Sequence, residues 1–154
     1  MMKNIDDLHE SSRIKKNIEK MRKNEEQRIE SETIIRKKCK AIKRFTDLQF
    51  DESLYSKIKS RFYTKLQDKF LIYKAYVHGP RNFKRIKEEM LNEQIFMFDF
   101  HLKNTKESLL GKRIQSLIKM IKNEQEMNKE IESRENQNIK KKNKMNAKKK
   151  RKNY

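Results

Sequence analysis

Apolar residues recur at helical intervals through the middle of this 154-residue chain. The clearest run is Leu54, Ile58, Phe62, Leu66, Phe70, Tyr73 and Val77, with steps of 4, 4, 4, 4, 3 and 4. A second row, Tyr55, Tyr63, Ile72 and Tyr76, widens it. The pattern predicts one long helix whose broad apolar face packs against several others. His78-Gly79-Pro80 follows its last apolar position. Glycine suits the residue just past a helix end and proline cannot continue a helix, so the stretch predicts a stop. A hairpin between packed helices is the simpler expectation, and a ligand-binding loop built on His78 and Arg81 the sharper one.

Either Asp51 or Ser53 is placed to cap the long helix, and the helix before it ends near Phe45. Downstream, "RNFKRIKEEML" starts a new helix with Asn82 as its cap and Phe83, Ile86, Met90 and Leu91 as its apolar side. "IFMFDFHL" alternates as a strand does, with Phe96, Phe98 and Phe100 in one phase. An isolated strand does not persist, and no second one is evident, so this segment is expected to be a buried, kinked helix. Asn104 with Glu107 three residues on matches a capping box. The helix after it carries Leu110, Ile114, Leu117, Ile118 and Ile121. Gly111 inside that helix costs about 1 kcal/mol relative to alanine.

The flanks are different. Residues 1–38 alternate charges, with Ile14, Ile18 and Met21 at helical spacing before the stripe thins. Pairs such as Glu19 and Lys23 lie at i, i+4 with the carboxylate first, which supports a solvated helix. "NEQEMNKEIESRENQ" at 123–137 is expected to extend the last helix into solvent. "IKKKNKMNAKKKRKNY" at 139–154 is expected to be disordered, because like charges repel and nothing is there to bury. The chain therefore divides into a charged extension (1–38), a bundle (39–123) and a charged helix extension with a basic tail (124–154).

Composition narrows the fold class. Two glycines and one proline are too few for the turns of a sheet protein. The expectation is all-α, a small bundle of four to five helices. Cys39 is the sole cysteine, so no intramolecular disulfide forms. Lys38 and Lys40 beside it would lower its pKa, although a buried, inert thiol is the simpler reading. No stretch resembles a signal peptide or reaches the ~18 apolar residues of a membrane span, which points to a soluble intracellular protein without a membrane partner.

Charge brings in function. The net charge is +19. Residues 39–123 carry 19 basic against 9 acidic side chains, and residues 134–154 carry 10 against 1. Two such concentrations attract polyanions. Lys57, Arg61, Lys65 and Lys69 fall at i, i+4 on one flank of the predicted long helix, where like charges are cheapest to keep beside a polyanion. Arg61, Lys65, Lys69, Lys84, Arg85, Lys112 and Arg113 are the candidate phosphate contacts, groups that position a protein without reading sequence. Lys140, Lys141 and Lys142 form one basic cluster in the tail; Lys148, Lys149, Lys150, Arg151 and Lys152 form another. Both fit a nuclear localisation signal or a nucleic-acid patch. There is no phosphate-binding glycine loop and no HExxH. His9, His78 and His101 are far apart and lack a nearby cysteine pair, so neither metal nor other cofactor is expected, and no enzymatic activity.

Three stretches resemble a known family. "KLQDKFLIYKAY", "IFMFDFHL" and "NTKESLLGKRIQSLIKMIKN" are similar to the C-terminal helical (CHCT-type) domain of the chromodomain-helicase-DNA-binding remodellers, over about residues 39–123. That family places tryptophan in its third helix; this chain has none, so Phe83, Phe96 and Phe98 would fill the volume. The resemblance implies a stand-alone helical domain that binds DNA or nucleosomes in the nucleus, within a larger chromatin complex, and not an ATP-driven motor. "YVHGPRNFKRI" also resembles the turn before the third helix of SANT or Myb-like modules. The alternatives are an RNA-associated accessory protein of the nucleolus or ribosome, and a protein–protein adaptor.

Overall fold

A computed structural model describes residues 11–150, with Asn138, Lys140 and residues 141–150 described by backbone alone. It contains six α-helices: α1 (Ser11–Cys39), α2 (Glu52–Ile58), α3 (Lys65–His78), α4 (Phe83–Asn92), α5 (Phe100–Asn104) and α6 (Glu107–Lys150). Short 3-10 turns at Phe45–Asp47 and Gln94–Phe96 complete it, and no strand occurs among the described residues. The all-α expectation holds. His9, Arg151 and Lys152 lie outside the described residues, and the side chains of Lys140–Lys142 and Lys148–Lys150 are likewise undescribed.

α3 sits at the centre. Phe70, Leu71, Ile72 and Ala75 are buried on it, wider than a single stripe, because α1, α4, α6 and the first 3-10 turn all pack on it. Phe70 makes edge-on contacts with Phe45 at 5.2 Å and Phe96 at 5.4 Å between ring centroids. From α6 come Leu110, Ile114, Leu117, Ile118 and Ile121, all buried as their spacing predicts. Ile34, Ile35 and Cys39 close the core from α1, so the final turns of the charged extension belong to the bundle. From Ser12 to Gln27 that helix is exposed, Ile14, Ile18 and Met21 included, in keeping with a solvated helix.

The predicted long helix is two helices. It breaks after Ile58 and restarts at Lys65. Thr64 supplies the reason: its hydroxyl accepts from the Gln67 N–H at 3.2 Å, and the Gln67 side chain accepts from the Thr64 N–H at 2.8 Å. This capping box stabilises a new helix start inside what the spacing presents as one repeat. Phe62, in the loop so formed, is 56% exposed. α2 has its own cap, Asp51, which accepts from the Leu54 N–H at 2.9 Å.

The segment 94–104 is not a buried helix. Phe96 and Leu102 point inward, while Phe98 is 81% and Phe100 76% exposed. Phe98 therefore does not fill a tryptophan volume, whereas Phe96 packs on Phe70. Asp99 interrupts the segment by capping α5, accepting from the Leu102 N–H at 3.0 Å. Asn104 does not cap α6: it closes α5, donating to the Phe100 carbonyl at 3.0 Å. α1 likewise stops at Cys39 rather than near Phe45. α6 continues through Lys150, where disorder was expected. Its lysine-rich end holds no glycine or proline, and lysine is a good helix former.

Gly79 ends α3 as predicted, with φ 92° and ψ 146°. Only glycine occupies that region without strain. The turn joins two packed helices, with Pro80 buried and the Arg81 guanidinium donating to the Asn24 carbonyl of α1 at 2.7 Å. Gly79→Ala meets no clash, yet it should destabilise the fold by about 1–3 kcal/mol through backbone strain alone. A lowered midpoint of thermal unfolding checks this; an unchanged midpoint would contradict the assigned turn.

Candidate nucleic-acid interface

The seven candidate phosphate contacts do not share one face. Arg113 is the clearest departure. It is 9% exposed, and its guanidinium grips the fully buried Asp68 carboxylate through two bonds of 2.8 and 2.5 Å. A third donor reaches the Ile58 carbonyl at 2.6 Å. Tyr55 donates to the same carboxylate at 2.7 Å. Burial, followed by the neighbouring Asp68, raises the Tyr55 pKa, so the phenol stays a donor. Arg113 is therefore a structural cation, committed to Asp68 and the Ile58 carbonyl.

Others are partly committed. Lys65 pairs with Glu52, and Lys69 donates to the Thr46 carbonyl at 3.0 Å. The break between α2 and α3 also dissolves the predicted row from Lys57 to Lys69. Arg85 lies 3.9 Å from Glu88 and 3.5 Å from Glu89 along α4. Arg61, Lys84 and Lys112 are exposed, and no carboxylate among the described residues pairs with them.

Two of those three lie beside one helix face. At 3.6 residues per turn, Lys112, Gln115, Ser116, Lys119 and Asn123 share the side of α6 opposite Leu110, Ile114, Leu117 and Ile121, and all five are exposed. A cleft opens on each flank of this ridge. One, of about 250 Å³, runs toward α1 and the α3–α4 turn, with Glu30, Arg81, Lys119 and Lys122 on its walls. Lys122 pairs with Glu30 there at 2.6 Å. The other, of about 410 Å³, runs toward the α2–α3 loop, with Phe62, His101 and Lys112 on its walls. Lys59 and Arg61 stand on the far side of Phe62. Lys59 and Lys119 are exposed and were missed; the i, i+7 spacing of Lys112 and Lys119 on a helix with a clear inner face is the signal that finds the latter.

The remaining chemistry is structural. Cys39 is buried, and its thiol is pushed up to about 11 by burial, with Lys38 opposing less strongly. It is the inert thiol, not an activated one. His78 lies 2.7 Å from Glu89, which also pairs with Lys74 at 2.6 Å. His78 and Arg81 thus both hold the turn in place. No group of potential metal ligands occurs, and no helix is long and apolar enough to cross a membrane, among the described residues.

Arg113→Gln should cost about 3–5 kcal/mol of stability by stranding the Asp68 charge. Lys112→Gln, one position away, should change it by no more than about 0.5 kcal/mol. Thermal unfolding followed by circular dichroism separates the two; equal small effects would show that the buried pair carries no weight.

No curated protein matches the chain. A family model does: the SLIDE domain, the SANT-like DNA-binding domain of ISWI remodellers, over residues 12–126. That span takes in α1 and the bundle together. The family is a chromatin-remodeller helical domain, the class that the resemblance implied, but it is not the CHCT domain. It is a DNA-binding domain and not a catalytic one. With its central α3, its basic α6 ridge and this match over most of its length, the chain belongs to the SLIDE family.

Proposed function

We propose that this chain binds DNA, free or on nucleosomes, through the outer ridge of α6 and the cations beside it. Lys112 and Lys119 form the ridge, Arg61 and Lys59 extend it across the Phe62 cleft, and Arg81 borders the opposite side. The observation that carries the proposal is the match to a DNA-binding family in a chain whose longest bundle helix turns unpaired lysines outward. These contacts go to phosphate, so they position the protein without selecting a base sequence. Lys84 and Arg85 on α4 are secondary contacts. On this reading the protein works in the nucleus within a chromatin complex, and the lysine clusters 140–142 and 148–152 direct its import and add affinity. The match lends no support to an RNA-associated or adaptor role.

Counterion release makes the proposal measurable. Each phosphate contact adds about −0.9 to the slope of log K against log salt. The triple variant Arg61→Gln, Lys112→Gln, Lys119→Gln should flatten the slope by about 2–3 on duplex DNA with its circular dichroism unchanged. An unaltered slope rejects the ridge. Removing residues 138–154 in parallel measures the tail's share, and loss of all binding on that deletion alone would assign affinity to the tail.

A further inference from the structure

Phe62, like Phe98 and Phe100, is a phenylalanine that the fold turns outward. The α2–α3 loop carries it outward rather than into the core. Its ring meets His101 of α5 edge-on, with centroids 5.2 Å apart. The Arg61 guanidinium lies 4.9 Å over it. His101 also borders Tyr63, 5.8 Å away, and its Nδ1 lies 3.2 Å from the Thr105 hydroxyl. Three rings from two separate elements therefore form one wall.

That wall lines the 410 Å³ cleft beside α6, whose other sides are Leu109, Lys112 and Arg113. No carboxylate lines it. Its volume falls in the usual range for small-ligand clefts. An aromatic wall with a cationic rim repels cations and suits a flat aromatic group attached to an anion. Among DNA components, an unstacked nucleotide has that form: aromatic side chains stack on bases, and lysine and arginine hold the backbone.

We infer that the Phe62–His101–Leu109 cleft takes a single extrahelical nucleotide of the bound DNA. The base enters against Phe62 and His101, and its flanking phosphates meet Lys112 and Arg61. The inference rests on the DNA-binding reading above, because the nucleotide is presented by a duplex already held on the ridge. A bulged or mismatched position suits the site best, since an unpaired base is the least costly to expose.

The test uses the full chain with two short duplexes, one fully paired and one carrying a single unpaired 2-aminopurine. The bulged duplex should bind about tenfold more tightly, and its fluorescence should fall on binding as the base stacks. Phe62→Ala should abolish both the preference and the quenching, with affinity for the paired duplex within about twofold of the unmodified chain. Phe62→Tyr should keep both. Phe62 is exposed, so the variants are expected to fold, and circular dichroism checks it. Equal affinity for the two duplexes with unchanged fluorescence overturns the inference and leaves the cleft to an apolar protein segment. A preference that survives Phe62→Ala overturns it as well. Failure to bind either duplex instead removes the DNA-binding reading itself.

Discussion

One buried charge organises this bundle. Asp68 is 0% exposed in the first turn of α3, and an isolated carboxylate there would be prohibitively unfavourable. It survives because Arg113 arrives from α6 with two donors and Tyr55 from α2 with a third. The pair is weak evidence for net stability, since its desolvation offsets much of its attraction. Its importance lies in constraint. Arg113 also bonds the Ile58 carbonyl at the end of α2, so α2, α3 and α6 are held in one register. That register delivers the α2–α3 loop, and Phe62 with it, to the edge of α6.

The same helix divides its cations by direction. Successive residues on an α-helix point about 100° apart. Lys112 and Arg113 therefore face solvent and core respectively, and neighbouring positive charges take unrelated work. Farther along α6 the balance shifts. Lys38 of α1 pairs with Glu124 at 2.6 Å, and Lys122 with Glu30 at 2.6 Å. Where α1 crosses α6, both helices are thus locally neutralised, and neither charge is free for a polyanion. Lys112 and Lys119 keep no carboxylate partner, and they stand between the two clefts. A total of +19 says little by itself; the pairing pattern decides where the field is strong.

Much of the fold was legible. The inner face of α6, the stop at Gly79 and the solvated start of α1 all follow from spacing and turn chemistry, which are local properties. Two of the failures share one cause. Leu54 to Val77 keep helical spacing across a break because Thr64 and Gln67 form a cap that competes with helix continuation, and spacing alone cannot rank the two. Asp99 divides the aromatic segment in the same way. Arg113 was misassigned for a different reason. Its partner Asp68 lies 45 residues away in sequence, and no local pattern shows which arginine will be claimed by a distant buried acid. The surface therefore had to be sorted by partners, after which Arg61 and Lys112 remain from the predicted seven near the ridge, and Lys119 and Lys59 join them.

The geometry also bears on what kind of selectivity such a protein has. Lysines on the outside of a long helix, with serine, glutamine and asparagine between them, offer charge and hydrogen bonds at regular intervals. Contacts of this kind go to phosphates and not to the edges of particular bases. On the proposed reading, the ridge alone would treat most duplexes alike. The Phe62 wall adds a term of another kind, because an apolar ring beside the backbone favours DNA whose bases are easily unstacked or displaced. Preference would then follow the deformability of the duplex, with the strongest complexes at distorted or unpaired sites. On the proposed reading, a domain built this way would distinguish DNA by its mechanical state and not by its sequence.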